Sequence, residues 1–175
     1  HSDMTGSLIL RNYAPSSSGY GFHFSAYSKN IFTPVIRRQV REQEISDAGH
    51  YTVYLPSYDD KRLIRYLSEF KEVKWDVFSK HNSKPFRVKN ISIRPVNNEK
   101  FTASMAASSG VLCGAGFETP AEALFLGKKL LVIPMKSQYE QHLNAAALQA
   151  MKVPVIKSLK PKYHPAIAAW LNEGQ

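Results

Sequence analysis

The chain has 175 residues, 43% of them hydrophobic, with 23 Lys and Arg against 14 Asp and Glu for a formal charge of +9. That size supports one α/β domain with a real core rather than two full domains. No apolar run approaches the roughly 20 residues of a membrane span and no signal-peptide pattern opens the chain, so a cytoplasmic protein is expected, with anionic partners favoured by its charge.

His1-Ser2-Asp3 ahead of Met4 resembles the remnant of a tag and is set aside from fold reasoning. Leu8-Ile9-Leu10 is followed by the flexible punctuation Ser16-Ser17-Ser18-Gly19, and Tyr20 to Tyr27 alternates enough aromatic residues to pass for a strand. Residues 1–30 therefore read as tag and connector from a domain the chain does not contain, and residues 31–175 as the folded domain. From His50 the rhythm steadies. Tyr51 to Leu55 is a β-rich run stopped by Pro56, and Asp59 can cap a helix with Leu63, Ile64, Leu67 and Phe70 on one face.

The alternation continues with a strand at Val73 to Phe78, a short strand at Ile91 to Ile93 and a helix at Asn98 to Ala107. A strand at Val111 to Cys113, a helix at Thr119 to Leu126 and a strand at Leu130 to Ile133 come next. A helix at Tyr139 to Met151, a last strand at Pro154 to Ile156 and a terminal helix near His164 to Leu171 complete the pattern. Short apolar strands separated by helices predict right-handed crossovers, so the fold class is α/β, a doubly wound parallel sheet. In such sheets ligands bind beyond the carboxyl ends of the strands, where loops enter helices.

The loop Gly114-Ala115-Gly116-Phe117-Glu118-Thr119 is the most suggestive of these. Glycines between a buried strand and a helix capped by Glu118 or Thr119 let backbone amides approach an anion, though tight turns also use glycine for steric reasons alone. The loop lacks the Lys-Ser or Lys-Thr ending of a Walker motif and the three spaced glycines of a dinucleotide fingerprint. Glu122 reads either as a capping-box acid or as an acceptor for ribose hydroxyls. Cys113, the only cysteine, excludes an intramolecular disulfide and reads as a small core residue, with a reactive thiol beside the loop as the alternative. Lys80, Lys84, Arg87, Lys89, Arg94 and Lys100 form a basic segment without an aromatic ladder, so nucleic acid is not the expected partner. The six histidines show neither zinc spacing nor a readable pairing with a carboxylate; His142 is the one nearest to a motif.

Gly114 to Glu122, then Gly127-Lys128-Lys129-Leu130-Leu131-Val132-Ile133-Pro134, then Gln138-Tyr139-Glu140-Gln141-His142-Leu143-Asn144-Ala145, follow an order that resembles the C-terminal domain of GT-B glycosyltransferases. UDP-dependent glycosyltransferases and the N-acetylglucosaminyltransferase that forms lipid II share it. Thr33-Pro34-Val35-Ile36-Arg37-Arg38 and Val53-Tyr54-Leu55-Pro56 resemble landmarks of uncharacterised prokaryotic glycosyltransferase-like proteins, extending the likeness from about Phe32 to Ile156.

The resemblance implies a Rossmann-like nucleotide-sugar-binding domain. By it the backbone around Gly114, Ala115, Gly116, Phe117 and Thr119 receives the donor diphosphate, Glu122 the ribose, and Glu140 and Gln141 the donor sugar. The corner at Pro95 and Val96 would read the base, with uracil implied by kinship. Many relatives carry a phosphate-contacting histidine where this chain has Gly114, and Arg94 or Lys100 is the candidate for the missing charge. Asn144 is expected to brace its helix. The catalytic base and the acceptor site, for a sugar or lipid-linked sugar, would belong to an N-terminal domain outside this chain. No metal and no cofactor beyond the nucleotide-sugar substrate is expected, and contact with the inner face of a membrane is compatible with the charge. The alternatives are half of a sugar-nucleotide epimerase and a non-catalytic module binding anionic ligands or membrane surfaces.

Overall fold

The computed structural model describes residues 19–173, so the tag-like opening, Leu8 to Leu10 and Ser16 to Ser18 lie outside the described residues. Backbone contacts divide the chain into a unit of residues 1–34 and a unit of residues 35–175. In the first, the strand expected from Tyr20 to Tyr27 shrinks to β1 (Gly21–Phe22), paired in parallel with β2 (Ile31–Phe32). Phe24 alone in this segment is buried, while Tyr20, Phe22 and Tyr27 are 71%, 57% and 70% exposed, and so little buried apolar surface gives a longer ladder little to hold it.

The second unit begins with α1 (Arg38–Arg41) and then alternates: β3 (His50–Tyr54), α2 (Asp60–Leu67), β4 (Lys74–Ser79), β5 (Phe86–Val88), β6 (Ile91–Pro95), α3 (Asn98–Ala106), β7 (Gly110–Gly114), α4 (Glu118–Phe125), β8 (Lys129–Ile133), α5 (Tyr139–Ala150), a 3-10 turn (Pro161–Tyr163) and α6 (His164–Asn172). The sheet order is β5-β6-β4-β3-β7-β8, parallel throughout except that β5 runs antiparallel to β6. This is a doubly wound α/β fold. Val53, Val77, Leu112 and Leu131 are completely buried, as expected where helices cover both faces and strands become apolar along their length.

Two helix starts follow directly from side-chain chemistry. Asp59 accepts a hydrogen bond from the Arg62 amide and Asn97 from the Lys100 amide, each cap contributing about 1 kcal/mol. The last helix, α6, returns to the sheet: the Trp170 ring meets Tyr51 at 5.0 Å between centroids, and the Tyr51 hydroxyl donates to the Leu171 carbonyl at 3.1 Å.

Three expectations need correction. The basic segment contains a strand, β5, turned by Lys89 in the left-handed region (φ 54°) and braced by Asn90, whose amide donates to the Phe70 and Val73 carbonyls. Arg87 on that edge, between Lys84 and Lys89, discourages pairing with another sheet. The strand expected at Pro154 to Ile156 is a single bridge between Val155 and Val132, held by one bond on either side. And α4 is capped by neither Glu118 nor Thr119: its N-cap is Phe117, with no side-chain bond to the helix amides. Among the described residues no helix is long and apolar enough to cross a membrane.

Candidate functional site

The strand order reverses at β3, with β4 and β6 continuing to one side and β7 and β8 to the other. A crevice therefore opens at the carboxyl ends of β3 and β7. A cavity of about 180 Å³ lies there, lined by Tyr54 from the end of β3, Val96 beyond β6, Asn98 at the start of α3, Glu118 and Thr119 at the start of α4, and Arg37. Two helix N-termini thus border one small cavity, each presenting partial positive charge.

Glu122, one turn into α4, is not in a capping box. Both its oxygens are taken by Arg37, Nε to Oε1 at 2.6 Å and Nη2 to Oε2 at 2.9 Å, and the third arm of the guanidinium, Nη1, donates to Asn98 Oδ1 at 3.2 Å. The Glu122 side chain is 2% exposed and that of Arg37 33%. The hydrogen bond to Glu122 raises the Arg37 pKa above its ordinary value despite partial burial. A carboxylate has about four lone-pair sites, so this two-point contact fixes its plane and leaves acceptor capacity. Any ligand hydroxyl reaching it must share it with Arg37. In the sequence, Arg37 is a landmark of the segment from Thr33 to Arg38 and nothing more. Its role was signalled by nothing local, since its partner is 85 residues away.

The glycine loop is built without steric need for glycine. A Cβ at Gly116 would meet nothing within 4 Å, one at Gly114 would touch Gln141 Oε1 at an ordinary 3.5 Å, and neither residue has positive φ. Gly110, by contrast, is a packing glycine: a Cβ there would lie 2.9 Å from the Tyr51 ring and 3.0 Å from the Lys129 carbonyl oxygen. Ala115 is completely buried, and its carbonyl accepts from Asn144 Nδ2 at 3.1 Å, so Asn144 braces the loop against α5. Gln141 accepts from the Met135 amide at 3.0 Å and donates to Gln138 at 2.6 Å, bringing the β8–α5 loop alongside Gly114. Glu140 is exposed in the first turn of α5.

The remaining candidates separate. Pro95 is half-buried and Val96 is 47% exposed at the cavity wall. Arg94 is committed to Asp76, whose other oxygen accepts from Ser104, whereas Lys100 is exposed. His142 is also exposed, with Nε2 3.1 Å from the Lys136 carbonyl. One histidine does approach a carboxylate: His164 Nε2 lies 2.8 Å from Glu69 Oε2 without hydrogen-bond alignment, its ring stacked on Phe70 at 4.4 Å. It joins the end of α2 to the start of α6, not the carboxyl edge. Among the described residues no group of three or more His, Cys, Asp or Glu side chains could hold a metal ion.

Cys113 is completely buried in β7, and desolvation raises its thiol pKa far above the ordinary range. The core reading stands and the reactive-thiol alternative does not, because the thiolate is the nucleophile. A disulfide reagent should label it at the rate of global unfolding. Labelling of the native chain as fast as in denaturant would contradict this.

The chain matches the family model described as Glycosyl transferase family 1 over residues 15–170. No curated protein shows significant sequence similarity to it. Among solved structures, the glycotransferase of kitacinnamycin superposes with a TM-score of 0.57 at 15% identity, covering 83% of this chain and 42% of that one. The glycosyltransferase SnogD from Streptomyces nogalater gives 0.54 at 13% identity, covering 91% and 42%. Spinosyn forosaminyltransferase SpnP gives 0.55 at 13%, covering 89% and 47%. Such identities establish a shared fold, that of one domain of GT-B glycosyltransferases, and the chain spans less than half the length of each neighbour. Since the family match runs from before β1 into α6 and so takes in every strand of the sheet, the chain belongs to glycosyl transferase family 1.

Proposed function

We propose that this domain binds a nucleoside diphosphate sugar, with UDP-sugar as the donor, and that the whole protein transfers its sugar to an acceptor sugar or lipid-linked sugar carried by a further domain. The observation supporting this most is that the β7–α4 loop keeps glycine at 116 where the fold would accept a side chain. A backbone left bare at a helix start suits an anion that must come close to amide groups. The base packs on Pro95 and Val96. The diphosphate meets the amides from Gly114 to Phe117 and the Thr119 hydroxyl, and the ribose hydroxyls donate to the lone pairs of Glu122 that Arg37 leaves open. Glu140 and Gln141 accept from the sugar. Lys100 and Arg37 supply positive charge near the phosphates, and Arg94 does so by giving up Asp76.

Ligand-observed saturation-transfer NMR with UDP, GDP, ADP and CDP tests this reading, since half of a divided site is expected to bind near millimolar, about −4 kcal/mol. A selective UDP signal is expected, and equal silence for all four nucleotides overturns the proposal. The intact transferase is proposed to work through amides and helix dipoles, so its activity should survive EDTA. Loss of activity that added divalent metal restores would refute that part.

A further inference from the structure

We propose a second anion site at the carboxyl edge, built by Arg62, Lys136, Lys157 and Lys160 and specific for a phosphoryl group. These four cations line a cavity of about 290 Å³ between the loops that follow β3, β8 and the Val155 bridge, together with Ser57, Ser137 and the buried Ser158. No carboxylate lines it, and it contains no residue of the Gly114–Thr119 loop. The site therefore does not depend on that loop, while it shares with the donor reading the β8–α5 loop, whose Met135 amide donates to Gln141.

The charges are uncompensated. The ion pairs among the described residues, Arg37–Glu122, Arg38–Glu42, Arg94–Asp76 and His164–Glu69, include none of the four. The two acids nearest in sequence are engaged elsewhere: Asp59 caps α2 through the Arg62 amide, and Asp60 is buried against Asn82. Arg62 is held in place, its guanidinium 4.7 Å above the Tyr58 ring and its Nη2 3.5 Å from the Leu159 carbonyl. Like charges gathered around a concavity repel one another until an anion enters. A phosphoryl group satisfies such a set, because its oxygens accept from guanidinium, ammonium and hydroxyl groups at once. The volume lies near the lower end of ligand pockets and accommodates a phosphate or pyrophosphate. The lysines on the β5 edge, Lys84 and Lys89, are as exposed as Lys157 and Lys160 but do not line this cavity.

Inorganic pyrophosphate titrated into the ¹⁵N-labelled chain should shift the amides of Ser57, Ser137 and Ser158 saturably. Affinity should fall roughly tenfold or more in the Lys157→Gln/Lys160→Gln variant. It should change by less than about twofold in Lys84→Gln/Lys89→Gln, which removes the same charge elsewhere. All four lysines are exposed, so the fold should survive both double variants. Co-sedimentation with phosphatidic acid vesicles but not phosphatidylcholine vesicles, lost in Lys157→Gln/Lys160→Gln, would assign the site to a lipid headgroup. Pyrophosphate binding without co-sedimentation would assign it to a soluble phosphate. The proposal is overturned by shifts confined to residues 114–119, by no saturable shift, or by equal losses in the two double variants.

Discussion

Replacing Arg37 with alanine should destabilise the domain by about 3 kcal/mol, lowering Tm by roughly 6–12 °C. The reason is the asymmetry of the pair. Glu122 is 2% exposed, so removing Arg37 leaves a carboxylate buried with its strongest partner gone. Arg37 is 33% exposed, and in Glu122→Ala its guanidinium can turn to water, so that variant should lose less, about 1–2 kcal/mol. Removing both charges together in Arg37→Met/Glu122→Leu should recover much of the loss, since apolar replacement of a buried pair is often close to neutral. Urea denaturation of the three variants measures the cycle directly. A loss below about 0.5 kcal/mol in Arg37→Ala, or a larger loss in Glu122→Ala, would show that the pair is not what fixes α4 to the segment before α1.

Local chemistry explains what could be read from the chain. Asp59 and Asn97 cap the helices that follow them because a short polar side chain three residues before an amide needs no help from the rest of the fold. Tyr51 to Leu55 and Leu130 to Ile133 announce buried strands because both their faces are apolar, and they appear within a residue or so as β3 and β8. The missed strand, β5, is three residues long. It exists because β6 offers an edge, and its composition, Phe-Arg-Val beside lysines, reads as solvated surface. At Pro154 the opposite error arises: an apolar triplet looks like a strand, but a proline without an N–H enters the ladder only by its carbonyl.

The site divides in the same way. The order of the loops follows from the βα alternation, which puts the Gly114–Thr119 loop at the carboxyl edge of the sheet. Arg37 escaped because its function lies in a contact across 85 residues, for which periodicity has no signal. The cation cluster escaped because Arg62 comes from α2, Lys136 from the loop after β8, and Lys157 and Lys160 from the segment after the Val155 bridge, so no window of sequence contains them all. Conversely, the basic segment from Lys80 to Lys100 contains Arg94, which is paired to Asp76 in the fold.

Gly116→Val should reduce UDP affinity by roughly tenfold or more while changing stability by less than about 1 kcal/mol. These two effects separate because the glycine stands in open space: a Cβ meets nothing within 4 Å, so the fold has no reason to reject the side chain, whereas an approaching phosphate would meet it. Gly116→Ala should fall between the two, and Gly110→Ala should behave oppositely, since its Cβ would press on the Lys129 backbone and the Tyr51 ring. That substitution should cost 1–3 kcal/mol, to order of magnitude, and leave the affinity of the folded fraction nearly unchanged. Thermal melts beside saturation-transfer titrations distinguish the outcomes. If Gly116→Val binds UDP like the unaltered chain, the diphosphate is not held by these amides and the donor site lies elsewhere on the carboxyl edge. If it unfolds the chain, the glycine serves the turn, and the strongest support for the donor reading is lost.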